Sequence, residues 1–264
     1  MVQWLDAIPL WGVYWLVAVI GMATIRLGDL LGRQWTQRSH AAKQDNVDSL
    51  VASILALLAF LLVFMAGLAN TRFDAQRQLV LADANAIKTA WLRADFLDEP
   101  QRGAALALLP EYVAARLQAA TDPAHLPEAR ARSEAIQAEL WQYAAALNRA
   151  APDSTAAALL TAAVNSLIDT HTQRIASLYN RFPLSNWVAI MVVALLSLLA
   201  VGYNDGLHVG RADGRGWVTE LVLVLVFAAV LVLIVDLDRP NDGLINVSQQ
   251  ALIDLQQQMA AIEL

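Results

Sequence analysis

The stretch Leu233-Ile-Val-Asp-Leu-Asp-Arg-Pro-Asn-Asp-Gly-Leu-Ile-Asn-Val-Ser248 marks where a long apolar run stops. No residue from Leu221 to Val235 is charged, and then Asp236, Asp238, Arg239, Pro240, Asp242 and Gly243 follow within eight residues. An uncharged run that ends in acids, an arginine, a proline and a glycine reads as a membrane helix leaving lipid. Composition agrees. Hydrophobic residues make up 58% of the chain and charged residues only 16%, whereas soluble domains carry about a quarter charged residues. The mean hydropathy is +0.46. A net charge of −6 leaves no basic footprint for nucleic acid. Cysteine is absent, which excludes disulfide frameworks and thiolate metal sites.

Working outward from that junction, windows free of charge, the last of them only from Leu221 onward, locate four spans. They fall at about 7–25, 49–71, 182–204 and 217–235, each close to the length that a ~30 Å hydrocarbon core requires. In the last of them Glu220 is expected at the interface, at the favourable end of the helix dipole. Trp4, Trp11, Tyr14 and Trp15 crowd the start of the first span, as aromatic belts do at a lipid–water boundary. Met1 to Asp6 holds no lysine or arginine, so this window reads as a retained helix and not as a signal peptide. Arg26 to Asp48 reads as a polar loop. No proline occurs from Leu50 to Glu99, so the second span is expected to continue into the polar region as one helix.

Residues 72–181 form the one polar block large enough for a domain. It is rich in alanine and leucine and shows no β-branched alternation, which predicts helices throughout. Val80, Ala84, Ile87 and Trp91 fall on one face of the first. Leu160, Val164, Leu167, His171 and Ile175 form a stripe on the last, whose N-cap is Asp153 or Ser154. A kink or a split is expected at Pro110. In the tail, Leu252, Leu255, Met259 and Ile262 make an amphipathic helix suited to packing on the bundle or on neighbouring subunits. The reading is an all-α membrane protein. A transmembrane hairpin covers 1–71, a helical extramembrane domain 72–181 lies between spans two and three, a second hairpin covers 182–235, and junction and tail occupy 236–264.

Four spans place both termini and the domain on one side. The two short loops hold Arg26, Arg33, Arg38, Lys43, Arg211 and Arg215, so the positive-inside rule puts those loops in the cytoplasm and the domain outside.

Two blocks carry a family likeness. Phe73-Asp-Ala-Gln-Arg-Gln-Leu-Val-Leu-Ala-Asp-Ala-Asn-Ala-Ile-Lys-Thr-Ala-Trp-Leu-Arg-Ala94, followed by Glu99-Pro-Gln-Arg102 and Tyr112-Val-Ala-Ala-Arg116, resembles the bacterial "bestrophin-like domain" family. So does the closing Asp236-Leu-Asp-Arg-Pro-x-x-Gly-Leu-Ile-x-Val-Ser-Gln-Gln250. Asp83 departs from the glutamate expected there, and the loop before the second span is less basic than the pattern. The resemblance implies a multi-pass protein of the bacterial inner (cytoplasmic) membrane. It also implies a homo-oligomer, a ring of five in bestrophins, which are anion channels that keep this domain in the cytosol. Their second span lines the pore with apolar side chains at i, i+4 and i+8, and Phe60, Phe64 and Leu68 have that spacing.

The candidate sites each admit a plainer reading. Phe60, Phe64 and Leu68 suit a hydrophobic gate or ordinary packing in lipid. Asp236, Asp238, Arg239, Pro240, Asp242 and Gly243 suit a local ion pair with a chain turn, a ring of acids at a pore mouth, or a calcium loop that lacks its closing glutamate. The ion pair is preferred. Asp83, Asn85 and Lys88 form a polar cluster on the first domain helix, against the alternative of a solvated face. His40, His125, His171 and His208 have no metal spacing, and no catalytic elbow or phosphate loop occurs, so neither metal, cofactor nor enzymatic activity is expected. The expected function is an oligomeric conduit for small ions within the lipid bilayer. The alternative is a non-conducting scaffold or envelope sensor whose domain binds a partner.

Overall fold

The computed structural model describes residues 8–38, 45–122, 125–179, 181–208, 216–239 and 243–262. Among them are eight helices and no strand: α1 (Leu10–Arg38), α2 (Asp45–Ala94), α3 (Gln101–Thr121), α4 (Leu126–Ala150), α5 (Thr155–Tyr179), α6 (Leu184–Leu207), α7 (Gly216–Asp238) and α8 (Gln250–Ile262). Of the described helices, α1, α2, α6 and α7 are long and apolar enough to cross a membrane. The chain divides into two compact units, one of residues 1–72 and 182–245, the other of 73–181 and 246–264.

In the first unit, α1 runs well past the predicted end of its span, through Arg26 to Arg38. Its polar residues are satisfied in helical form. Arg33 reaches back one turn to Asp29 at 2.7 Å, and Arg26 meets Glu220 of α7 at 2.9 Å. The turns between them carry glycines that pack directly on α6. A Cβ placed on Gly28 would lie 2.2 Å from the Leu199 carbonyl oxygen, and one on Gly202 would lie 1.9 Å from that of Ile25. Gly32 and Gly206 meet Tyr203 and Asp29 in the same way at 2.3 Å. The two Gly-x-x-x-Gly ridges therefore let two parallel helices touch backbone to backbone. That close approach holds helices together in lipid, where burial of apolar surface supplies no drive. Leu58, Leu62, Met65 and Ala69 of α2 join Ile190, Ala194 and Leu198 of α6 and Val224, Phe227 and Leu231 of α7 in one buried core.

In the second unit, the continuation of α2 packs with α3, α4, α5 and α8. Val80, Ala84 and Ile87 are buried, with Trp91 partly buried beside them, and the Leu160–Val164–Leu167–His171 stripe of α5 is buried as well. Ser154 caps α5 by accepting from the Ala157 amide at 3.3 Å. α3 continues through Pro110 as a single helix. The tail helix α8 buries Leu252, Leu255 and Met259 against this core.

Candidate functional site

The α2 helix presents two opposite faces within the first unit. Leu58, Leu62, Met65 and Ala69, at 4-3-4 spacing, face the core. Leu57, Phe60 and Phe64 point away from it at 3-4 spacing, and Phe60 and Phe64 are 66% and 55% exposed. Gly67 continues this face, and nothing lies within 4 Å of the position its Cβ would take. Leu68 sits at the edge of the face and packs against the core. The i, i+4, i+8 set is thus divided. Successive fourth residues advance 40° around an α-helix, and by Leu68 that drift has carried the side chain inward. Asn70 and Thr71, one turn on, are exposed.

The junction acids are used locally. Asp236 is 3% exposed and accepts two backbone hydrogen bonds through its carboxylate, from Leu244 at 2.7 Å and from Ile245 at 3.2 Å. Its Oδ1 lies 2.3 Å from where a Cβ on Gly243 would stand, so only glycine fits beneath the carboxylate. Asp238 accepts from the Phe182 amide at 3.2 Å, and Arg239 donates to the Ile8 carbonyl at 2.7 Å. The end of α7 is therefore fastened to the entries of α6 and α1. Pro240 and Asp242 lie outside the described residues.

Asp83, Asn85 and Lys88 are not brought together. Asn85 is exposed, and Lys88, also exposed, reaches Gln258 of α8 at 3.1 Å. Asp83 turns inward and is fully buried. Its Oδ2 accepts from Arg116 Nε and Nη2 at 3.1 and 2.9 Å and from Arg174 Nη1 at 2.7 Å. Arg116 Nη1 then approaches His171 Nδ1 at 2.9 Å, Tyr112 lies 3.3 Å from the same nitrogen, and Gln137 donates to the Tyr112 hydroxyl at 2.8 Å. A guanidinium only donates, so Nδ1 carries the lone pair and His171 is neutral, with its proton on Nε2. Burial first, and the Arg116 charge second, push the His171 pKa down to about 4. Burial likewise raises the Tyr112 phenol and lowers Arg174. This network joins α2, α3, α4 and α5, and removing Asp83 or His171 would leave the buried Arg116 guanidinium short of an acceptor.

Sequence reading missed Arg116, Arg174 and Gln137, although a signal was present. Arg116 stands one turn after Tyr112 and Arg174 one turn after His171, charges set into otherwise apolar stripes. It also missed the paired glycine ridges, whose four-residue spacing was plain in the sequence. A third omission is the polar cluster at Glu220. This residue is 6% exposed, and its Oε2 is within ion-pair distance of Arg26 without hydrogen-bond alignment. Asp205 of α6 approaches the same carboxyl. Asn204, the residue before Asp205, donates to Asp48 at 2.7 Å.

The architecture is that of an all-helical membrane protein with four long apolar helices. It is similar in fold to the crystal structure of a bacterial bestrophin homologue from Klebsiella pneumoniae carrying a point mutation. The similarity covers 95% of this chain and 97% of that one, with a TM-score of 0.65 and 12% sequence identity. The chain belongs to the Bestrophin-like domain family, whose sequence pattern matches residues 17–252. No curated protein matches the sequence.

Proposed function

We propose that identical chains assemble in a ring around the outward face of α2 and form a conduit for small ions in the bacterial cytoplasmic membrane. The observation that carries this reading is the apolar face of Leu57, Phe60 and Phe64, which is exposed among the described residues while Leu58, Leu62, Met65 and Ala69 on the opposite face of the same helix are buried. Leu57 and the two aromatic side chains would form a constriction that gates by dewetting, with Leu68 supporting the wall from behind. Gly67 and the exposed Asn70 and Thr71 would let the path widen and wet beyond it. The fold shared with a bestrophin homologue supports the same arrangement.

The test is current through purified protein in a planar bilayer. Wild-type protein is expected to pass ions in discrete events, and Phe64→Ala is expected to raise the current several-fold by shortening the dry segment. Bilayers that stay silent with both proteins, although the complex is intact by mass, would leave a non-conducting scaffold as the reading.

A further inference from the structure

Between α1, α6 and α7 lies a cleft of about 350 Å³. We propose that it holds an acyl chain of a glycerophospholipid, inserted from the interface with the phosphate toward Arg72. This inference is independent of ion conduction.

Three observations converge on that occupant. The lining is entirely apolar, from Val13 and Leu184 at one end to Gly21, Leu198 and Phe227 at the other. The deep end is closed, since a Cβ on Gly21 would meet Val224 at 3.1 Å and Leu198 at 3.3 Å, and beyond it the glycine ridges bring α1 and α6 into backbone contact. Above that contact the two helices leave space, and α7 backs it. The shallow end coincides with the aromatic belt, because Trp11 and Trp15, 71% and 58% exposed, lie on the same turns of α1 as Val13 and Leu16. Trp187 lines the cleft at that level, Phe182 stands edge-on to it with ring centroids 6.1 Å apart, and the Arg72 guanidinium lies 4.3 Å over the Phe182 ring. A cation two rings from the mouth of a blind apolar cleft matches the charge order of a phospholipid, anion outside and hydrocarbon inside.

Lipid tails gain nothing by leaving bulk lipid for an equally apolar wall. Retention must come from fit to the closed cleft and from the headgroup contact, which makes it sensitive to shape. Mass spectrometry of the intact complex, purified with extensive detergent washing and reconstituted with a single phosphatidylglycerol species, is the test. Wild-type protein is expected to retain one lipid per protomer. Val188→Trp and Leu16→Trp place bulk in the cleft from half-exposed positions and are expected to abolish retention. Leu196→Trp, on an exposed position of α6 outside the cleft, is expected to keep it. Phosphatidylcholine in place of phosphatidylglycerol is expected to be held less well.

Lipid absent from the wild type, lipid retained equally by the two cleft-filling variants, or lipid lost equally in Leu196→Trp would each overturn the proposal. So would a disulfide between protomers formed in Val188→Cys, because a second copy would then occupy the cleft.

Discussion

Gly202→Ala tests how the first unit is held together. The added Cβ would stand 1.9 Å from the Ile25 carbonyl oxygen, 2.7 Å from its carbon and 2.9 Å from its Cα. All three are backbone atoms, so no rotamer change relieves the clash. α1 would have to retreat by roughly 1 Å or more to reach even a tight contact, and the neighbouring contacts of Gly28, Gly32 and Gly206 would open with it. Overpacking of this kind costs about 1–3 kcal/mol, and a backbone-on-backbone clash belongs at the upper end. Alanine returns about 1 kcal/mol through its better helix propensity. The net loss is about 2 kcal/mol, or roughly 4–8 °C in apparent melting temperature for a chain of this size.

The assay is thermal unfolding of the detergent-solubilised protein, followed by loss of the native gel-filtration peak. Gly67→Ala is the control. Nothing lies within 4 Å of its Cβ position, so it keeps the propensity gain without the clash and is expected to melt at or above the wild-type temperature. Equal melting of Gly202→Ala and wild type would refute the account, because the clash would then be absent.

His171 makes stability depend on pH in a defined direction. Its folded pKa of about 4 lies below the ordinary 6.5, so between these values the unfolded chain binds a proton that the folded chain refuses. Stability is complete above pH ~6.5 and falls as pH drops toward 4, by about 1.4 kcal/mol per unit and on the order of 3 kcal/mol in all. Circular dichroism melts should show that slope in the wild type and a flatter one in His171→Gln; parallel slopes would exclude His171 as the source. Arg239→Ala removes the donor to the Ile8 carbonyl and is expected to weaken assembly, read as a lower complex mass by light scattering. A fully assembled but inactive variant would instead assign Arg239 a direct part in activity. Asp153, exposed at the turn before α5, reports sidedness. Asp153→Cys is expected to react with an impermeant thiol reagent in intact cells, as the loop charges indicate, and labelling only after lysis would place the domain in the cytosol.

Much of the fold was readable because it follows from solvent alone. Uncharged windows of span length mark α1, α2 and α6, and an uncharged run from Leu221 to Val235 marks α7, since a charge in hydrocarbon is costly wherever its partners lie. The missing proline between Leu50 and Glu99 foretold that α2 continues as a single helix, and helix formation is local. Apolar periodicity placed Leu160, Val164, Leu167 and His171 on one buried face before any neighbour was known.

What only the tertiary structure decided concerns side chains whose partners are distant in the chain. Asp83 looked like one member of a polar cluster with Asn85 and Lys88 on its own helix, but its partners are Arg116 and Arg174, 33 and 91 residues away. The charges on α1 looked like a loop because their satisfaction depends on Glu220 and on glycines of another helix. The apolar run was read as stopping at Asp236, and α7 ends at Asp238. That the Asp236 carboxylate accepts the Leu244 and Ile245 amides, while Arg239 reaches Ile8, required the folded chain. Periodicity records which solvent a residue meets. Pairing depends on which helices come to lie side by side, and no local pattern encodes that.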